Sequence, residues 1–273
     1  DGKIDNPKKN SFIYGNWNDE PMYIKNSQGE IARWDFFGGN LKGIIKKLPF
    51  IKGLGVTTIY LNPIFEAVSN HKYDSADYKN IDPMFGNDEI FKELCDKAKE
   101  LGMHSVSEGE FSHTGSDSIY FNRYGNYPEL GAYQSKDSRY YSWYRFHNHP
   151  DDYESWWGFK NQPNVEELTP DYMNYIIRDE DSVISKWMGL GASGWRLDVA
   201  DELPDEFIKV LKSRMKRLNE SSVLIGEVWE DASNKTAYNI NREYFFGEEL
   251  DSVTGYPFRD AIIDFLKGQI SSR

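Results

Sequence analysis

The stretch GMHSVSEGEFSHTG, Gly102 to Gly115, decides how the rest of the chain is read. It follows an amphipathic segment and leads into a His-Thr-Gly turn, where an α/β protein would place a strand. Buried parallel strands are usually near-continuous runs of Val, Ile and Leu. This one carries Ser105, Ser107, Glu108 and Glu110. It reads either as a loop or as a strand that has lost its burial.

Its flanks favour the strand. Upstream, NLKGIIKKLPFIKGLG has helical spacing and ends on Gly, and VTTIYLNPIF is a β-branched and aromatic run stopped by Asn62-Pro63. EIFKELCDKAKELG is the next helix, with Asp88 as its expected cap and Gly102 as its end. Downstream, Thr114 to about Val165 shows no sustained period and is rich in Tyr, Trp, Asn, Ser and Gly. An irregular excursion of that length points to a subdomain or a functional loop. Then TPDYMNYIIRDEDSVISKWMGLG returns to helical spacing, GWRLDVA reads as a strand, PDEFIKVLKSRMKRL as a helix and SSVLIGEVW as a strand. A short strand in ELDSVTG and a closing helix in RDAIIDFLKGQI complete the series, while the opening DGKIDNPKKNSFIYGNWNDEP reads as loop. Such alternation implies a parallel sheet with crossover helices. Five strand candidates fall short of the eight of a (β/α)8 barrel, so the expectation is an incomplete barrel or an open α/β sheet.

Composition narrows the partners. A net charge of -12 argues against nucleic acid or an anionic membrane as the main partner. No apolar run approaches a membrane span, and no segment reads as a signal peptide, so localisation stays open. The chain opens at Asp1 rather than Met, which reads as a processed or excised chain. The single cysteine, Cys95, excludes an intrachain disulfide and a cysteine-based zinc cluster, and its helical context makes it a buried residue. With 8 Trp, 18 Tyr and 16 Phe, the aromatic share suits either sugar stacking or core filling.

Chemistry in α/β proteins gathers at the C-terminal ends of parallel strands. GWRLDVADE ends one strand with Arg196 and Asp198, and VLIGEVWE ends the next with Glu227. Two carboxyls on neighbouring strand ends suit retaining glycoside hydrolysis, which needs them about 5 Å apart. In that reading Arg196 keeps Asp198 ionised and a more apolar setting keeps Glu227 protonated. The alternative is a structural Arg–Asp pair beside a Glu at a loop start. NHKYDSADYKNIDPMFG, with His71, Tyr73, Asp74, Asp77 and Tyr78, is either a sugar-binding loop or a packed turn. Five scattered histidines without an HExxH pattern make a transition-metal site an unsuitable reading.

Taken in order, NPIFEAVSNHKYDSADYKNIDPMFG, FSHTG, GWRLDVADE and GEVWEDA resemble the α-amylase family (glycoside hydrolase family 13), near its neopullulanase-like and cyclomaltodextrinase-like members. The resemblance runs over nearly the whole chain. It implies a TIM-type (β/α)8 barrel, here about strands 2 to 6, with an irregular subdomain after the third strand. The expected division is 1–112 and 166–273 as two parts of the barrel, with 113–165 inserted as subdomain B. It implies Asp198 as nucleophile, Glu227 as general acid/base and Arg196 orienting the nucleophile. His113 would hydrogen-bond the reacting sugar and Tyr73 would stack beneath it, with Asp74 supporting that loop and Trp229 lining the cleft. The chemistry requires no cofactor. The family's calcium turn reads Gly38-Gly39-Asn40 here, with Asn in place of Asp, beside an opening loop shortened to Asp1–Asn6.

The pattern also breaks. Where the family reads Asp-Gly-Val-Phe-Asn-His, this chain has Glu108, Gly109, Glu110, Phe111, Ser112 and His113. Ser193 and Gln162 are further departures, and no His-Asp pair supplies the family's third carboxylate. If flanking strands are missing, Ser105, Ser107 and Glu110 would blunt a newly exposed surface or edge. The expected function is therefore a retaining hydrolase of α-1,4 and also α-1,6 glucans or maltooligosaccharides. The alternative is a catalytically inactive barrel fragment, natural or engineered, that binds carbohydrate or serves as scaffold and self-associates through exposed sheet edges.

Overall fold

The computed structural model describes residues 11–29 and 31–271. Its centre is a five-stranded parallel sheet, curled as a half-barrel. The strands are β1 (Thr58–Tyr60), β2 (His104–Gly109), β3 (Gly194–Leu197), β4 (Val223–Gly226) and β5 (Ser252–Val253), side by side in chain order. The sequence sets this order because each strand is followed by a crossover segment long enough to return to the same end. Helices α1 (Leu41–Gly53) and α2 (Asp88–Glu100) pack on each other; α3 (Val183–Gly189) packs on α4 (Asp205–Leu218), and α5 (Tyr256–Leu266) closes the series. Buried Phe65, Phe91, Trp187, Trp195 and Phe111 fill the space behind the sheet, with Phe91 and Trp187 edge to face at 5.3 Å. Cys95 lies in α2, buried.

Register brings the strand ends together. Glu108 pairs across with Arg196, and Ile225 with Arg196 on the other side. Beyond the strands the ladder continues, Asp198 N–H donating to Gly109 O at 3.0 Å and Glu227 N–H to Leu197 O at 2.8 Å. Side chains alternate across a strand, so residues 196 and 198 share a face.

Between β2 and α3 the chain forms a lobe around rings rather than aliphatic residues. Tyr120, Phe121, Tyr140, Trp143, Tyr144 and Tyr153 are all buried, with Phe121 against Tyr153 at 4.8 Å and Trp143 against Tyr172 at 4.9 Å. Most of the aromatic excess is therefore core.

Four expectations are corrected. Asn87, not Asp88, caps α2, its side chain accepting from Ile90 N–H at 3.0 Å while Asp88 and Glu89 occupy the first turn. The stretch of helical spacing from Thr169 to Gly191 holds two helical segments, Pro170–Arg178 and α3, because Ser182 caps the second. Part of the opening loop is a short strand, Ser11–Ile13, paired parallel with Trp34–Phe36. Most consequential, Ser105, Ser107 and Glu110 do not blunt a surface. β2 lies between β1 and β3, and these residues, with Glu108, are buried to 2% exposure or less. The edges are β1, where Tyr60 is 43% exposed, and β5, where Ser252 is exposed. No described helix is long and apolar enough to cross a membrane.

Candidate active site

The strand ends of β2, β3 and β4 open into a cleft of about 1120 Å³. Arg196, Asp198, Glu227, His113, Tyr73, Asp74 and Trp229 all line it. Seven residues from four separated stretches thus meet at one end of the sheet, as parallel strand ends dictate.

Arg196 is the hub. Its Nη1 donates to Asp198 Oδ1 at 2.7 Å and also to Glu108 Oε1, and its Nη2 lies 3.1 Å from Glu227 Oε1. Asp198 and Glu227 thus face the same guanidinium from neighbouring strand ends. Glu227 is further held by N–H and O–H groups: Val199 N–H at 3.0 Å, Trp229 Nε1–H at 3.0 Å and Tyr256 O–H at 3.3 Å. Val199 sits at φ 39°, a left-handed backbone costly for a β-branched residue, which aims its N–H at that carboxylate.

These contacts reverse the expected ionisation. Burial pushes Asp198 up to about 7, against Arg196 and with the help of Glu227's charge. Burial also acts on Glu227, but its N–H donors and Arg196 outweigh it and hold it below the usual carboxylate range. These directions run opposite to an ionised Asp198 and a protonated Glu227, because burial raises the first while N–H donors and Arg196 lower the second. Burial raises Glu108 to about 8, opposed by Arg196 and assisted by Asp198. The two carboxyls interact, so these directions belong to the pair rather than to either residue alone.

His113 is 1% exposed. Its Nε2 bonds the Tyr73 carbonyl at 2.9 Å and its Nδ1 the Ser112 hydroxyl at 3.1 Å. Burial lowers its pKa to about 4, so it is neutral. In this state it anchors the Tyr73 loop rather than offering a free N–H. Asp74 accepts from Ser69, through backbone N–H at 3.3 Å and through the hydroxyl, and burial raises its pKa. A ring surface covers the mouth: Trp156 stacks on Trp157 at 5.4 Å, and Trp157, 64% exposed, meets Trp229, 50% exposed, at 6.2 Å.

Sequence reasoning missed Tyr60, Tyr256, Trp156, Trp157 and the reach of Glu108. Only the departure of Glu108 from the motif could have signalled the last. For calcium, Asn40 accepts from Gly43 N–H at 2.8 Å as the cap of α1, and Gly38 and Gly39 take φ of 90° and 99°. Asp1–Asn6 lie outside the described residues. No group of three or more His, Cys, Asp or Glu converges as a metal site among the described residues, so no step is derived through a metal.

Comparison with known proteins agrees with this geometry. Residues 20–272 match the family model "Alpha amylase, catalytic domain". An amylopullulanase of Thermoanaerobacterium saccharolyticum is 42% identical over 94% of this chain, which spans 21% of that protein. A cyclomaltodextrinase of Thermoanaerobacter pseudethanolicus is 32% identical over 96% of this chain and 44% of its own length. The cyclic α-maltosyl-(1→6)-maltose hydrolase of Arthrobacter globiformis superimposes with a TM-score of 0.76 at 28% identity, covering 88% of this chain and 52% of that one. That hydrolase is also known in complex with maltose. The chain thus spans from about a fifth to about half of these relatives.

Proposed function

The chain belongs to the α-amylase catalytic-domain family, and from that premise we propose that it carries a retaining α-glucosidic site acting on α-1,4, and also α-1,6, glucans. One observation supports this above the others: Asp198 and Glu227, on neighbouring strand ends, both lie against a single guanidinium, at 2.7 and 3.1 Å. Retaining chemistry asks for closely spaced carboxyls.

In the reacting form Asp198 Oδ attacks the anomeric carbon while Glu227 gives its proton to the glycosidic oxygen, and the C–O bond breaks. Glu227 then takes a proton from water, whose oxygen displaces Asp198 from the same carbon. The reactive arrangement is the one with the proton on Glu227. A sugar oxygen lodged against Glu227 would favour it by accepting that proton's hydrogen bond. Tyr73 and Trp229 supply apolar faces for sugar rings. The -12 charge suits a neutral glucan better than a polyanion. The reading requires no cofactor.

A second reading, carbohydrate binding without turnover, is supported by the lack of a His-Asp pair in this sequence to supply the family's third carboxylate. Hydrolysis of an aryl α-maltoside with a good leaving group separates the two. Turnover with retained anomeric configuration, abolished by Asp198→Asn and cut at least about 100-fold on unactivated maltotriose by Glu227→Gln, supports the enzyme. Maltotriose binding with rates equal to the blank supports the second reading. The exposed edge strand β1 also supports self-association, which sedimentation velocity would show as a concentration-dependent mass.

A further inference from the structure

Glu108 has no part in the chemistry above, yet it is the most buried carboxylate touching the hub. It is 1% exposed on the central strand β2. One of its oxygens accepts from the Tyr60 hydroxyl on β1, and the other accepts from Arg196 Nη1 on β3. That same Nη1 is the nitrogen serving Asp198 Oδ1. A guanidinium offers each neighbour a fixed set of N–H bonds and one positive charge. Here one cation faces three carboxyls in a setting where charge is poorly screened.

The groups facing Glu108 come from every neighbouring element. Arg196 and Asp198 stand on β3 and its end, Glu227 at the end of β4, Tyr60 on β1, and Glu110 just beyond β2 itself. Tyr73 faces the Arg196–Asp198–Glu227 group from its loop. Only Arg196 among them is cationic. Whatever share of its charge Glu108 holds is withdrawn from Asp198.

We infer that Glu108 is a positioning residue of this site: by occupying the Arg196 Nη1 that also serves Asp198, it decides on which carboxylate the site's proton rests. The inference relies on the assignment of Asp198 as nucleophile only for its catalytic meaning. The proton's location is measurable in the free protein, whether or not it turns over a glucan. Exchanging Glu108 for a side chain that cannot accept from Nη1 would return that nitrogen to Asp198 and lower the latter's pKa. Tyr60, being exposed at the sheet edge, is the route by which that edge touches the site.

The test is a carbon-13 titration of protein labelled at the aspartate and glutamate carboxyl carbons. Asp198→Asn identifies the Asp198 signal. In the parent, Asp198 is expected to titrate near neutrality, at about 7. In Glu108→Leu, which leaves no acceptor for Nη1, its midpoint is expected to fall by about one unit or more, a tenfold gain in acidity. An unchanged Asp198 midpoint in a folded Glu108→Leu protein overturns the inference. Should that variant not fold, the reciprocal measurement remains. Interacting sites shift each other equally, so Asp198→Asn must lower the Glu108 midpoint. A Glu108 signal indifferent to Asp198→Asn overturns it as well. Loss of turnover alone, with the titration shifted as expected, would count against the hydrolase reading and not against Glu108.

Discussion

At Gly115 there is no room for a methyl group. A Cβ there would lie 2.5 Å from the carbonyl oxygen of Asp74, in backbone that cannot swing aside. Gly115 N–H also donates to Ser75 O at 2.8 Å, so the turn after β2 is sutured to the loop carrying Tyr73 and Asp74. Gly115→Ala is expected to cost about 1–3 kcal/mol in urea unfolding and to weaken maltotriose binding by calorimetry. Full-strength binding would mean the loop can move without consequence. Lys72 supports the same loop from beneath. It takes φ 67°, is 1% exposed, and places Nζ 2.7 Å from the buried Asp82 and 3.0 Å from Ala67 O. Lys72→Met leaves Asp82 without that cation, and a loss of about 3–5 kcal/mol is expected. A loss below about 1 kcal/mol would show that Asp82 is relieved by other groups. The residues of this loop were legible in the sequence as rings and carboxylates after a strand. The clamp was not, because Lys72 and Asp82 meet only after the intervening hairpin, Phe65–Ala67 with Ser75–Ile81, has formed.

The element that carries the surprise is β2. Its polarity reads as exposure, and the strand order of the sheet puts it inside. Ser105 lies beside Cys95 of α2, and Glu108 lies beneath the cleft, against Arg196. Just beyond the strand, Glu110 is fully buried, with no hydrogen-bond partner for either carboxyl oxygen among the described residues. Burial holds its acid group well above the usual range, with Ser75 alongside opposing weakly. A buried polar group without partners costs about 1–3 kcal/mol, and more when charged. Glu110→Val removes both oxygens and is therefore expected to stabilise the protein by about 1–3 kcal/mol in urea unfolding. The gain should be larger at pH 8 than at pH 5, because only the parent then faces ionisation of that carboxyl. A destabilised Glu110→Val protein would mean the carboxyl has partners after all. Strand placement was legible from turns and spacing. Burial was not, since it depends on which strands flank β2, and a one-dimensional pattern records polarity without recording neighbours.

Across the whole molecule the raised carboxyls share one sign. Burial holds Glu108 and Glu167 up to about 8 and Asp198 up to about 7, with Glu110 higher than its ordinary range. Each keeps its proton longer in the folded chain than in the unfolded one, so folding binds protons above pH 4.5. Stability must then be fullest below the ordinary carboxyl range and fall as pH rises toward 8. Carboxyls shifted the other way, such as Asp35 and Asp251, work against acid rather than base, and Asp251 is partly open to solvent. The -12 charge adds general repulsion in the same direction as the raised group. Salt distinguishes the two contributions, since surface repulsion is screened within about 3 Å at 1 M while buried acids are not. The melting temperature is therefore expected to decline from pH 5 to pH 8, and to keep declining in 1 M NaCl. A melting temperature that rises or stays level over that interval would show that the buried acids find compensation within the fold. A decline abolished by salt would assign it to the surface charge instead. Persistence in salt, reduced by Glu108→Gln and Glu110→Val together, would place the pH sensitivity in the central strand and its end, the stretch whose polarity first set it apart.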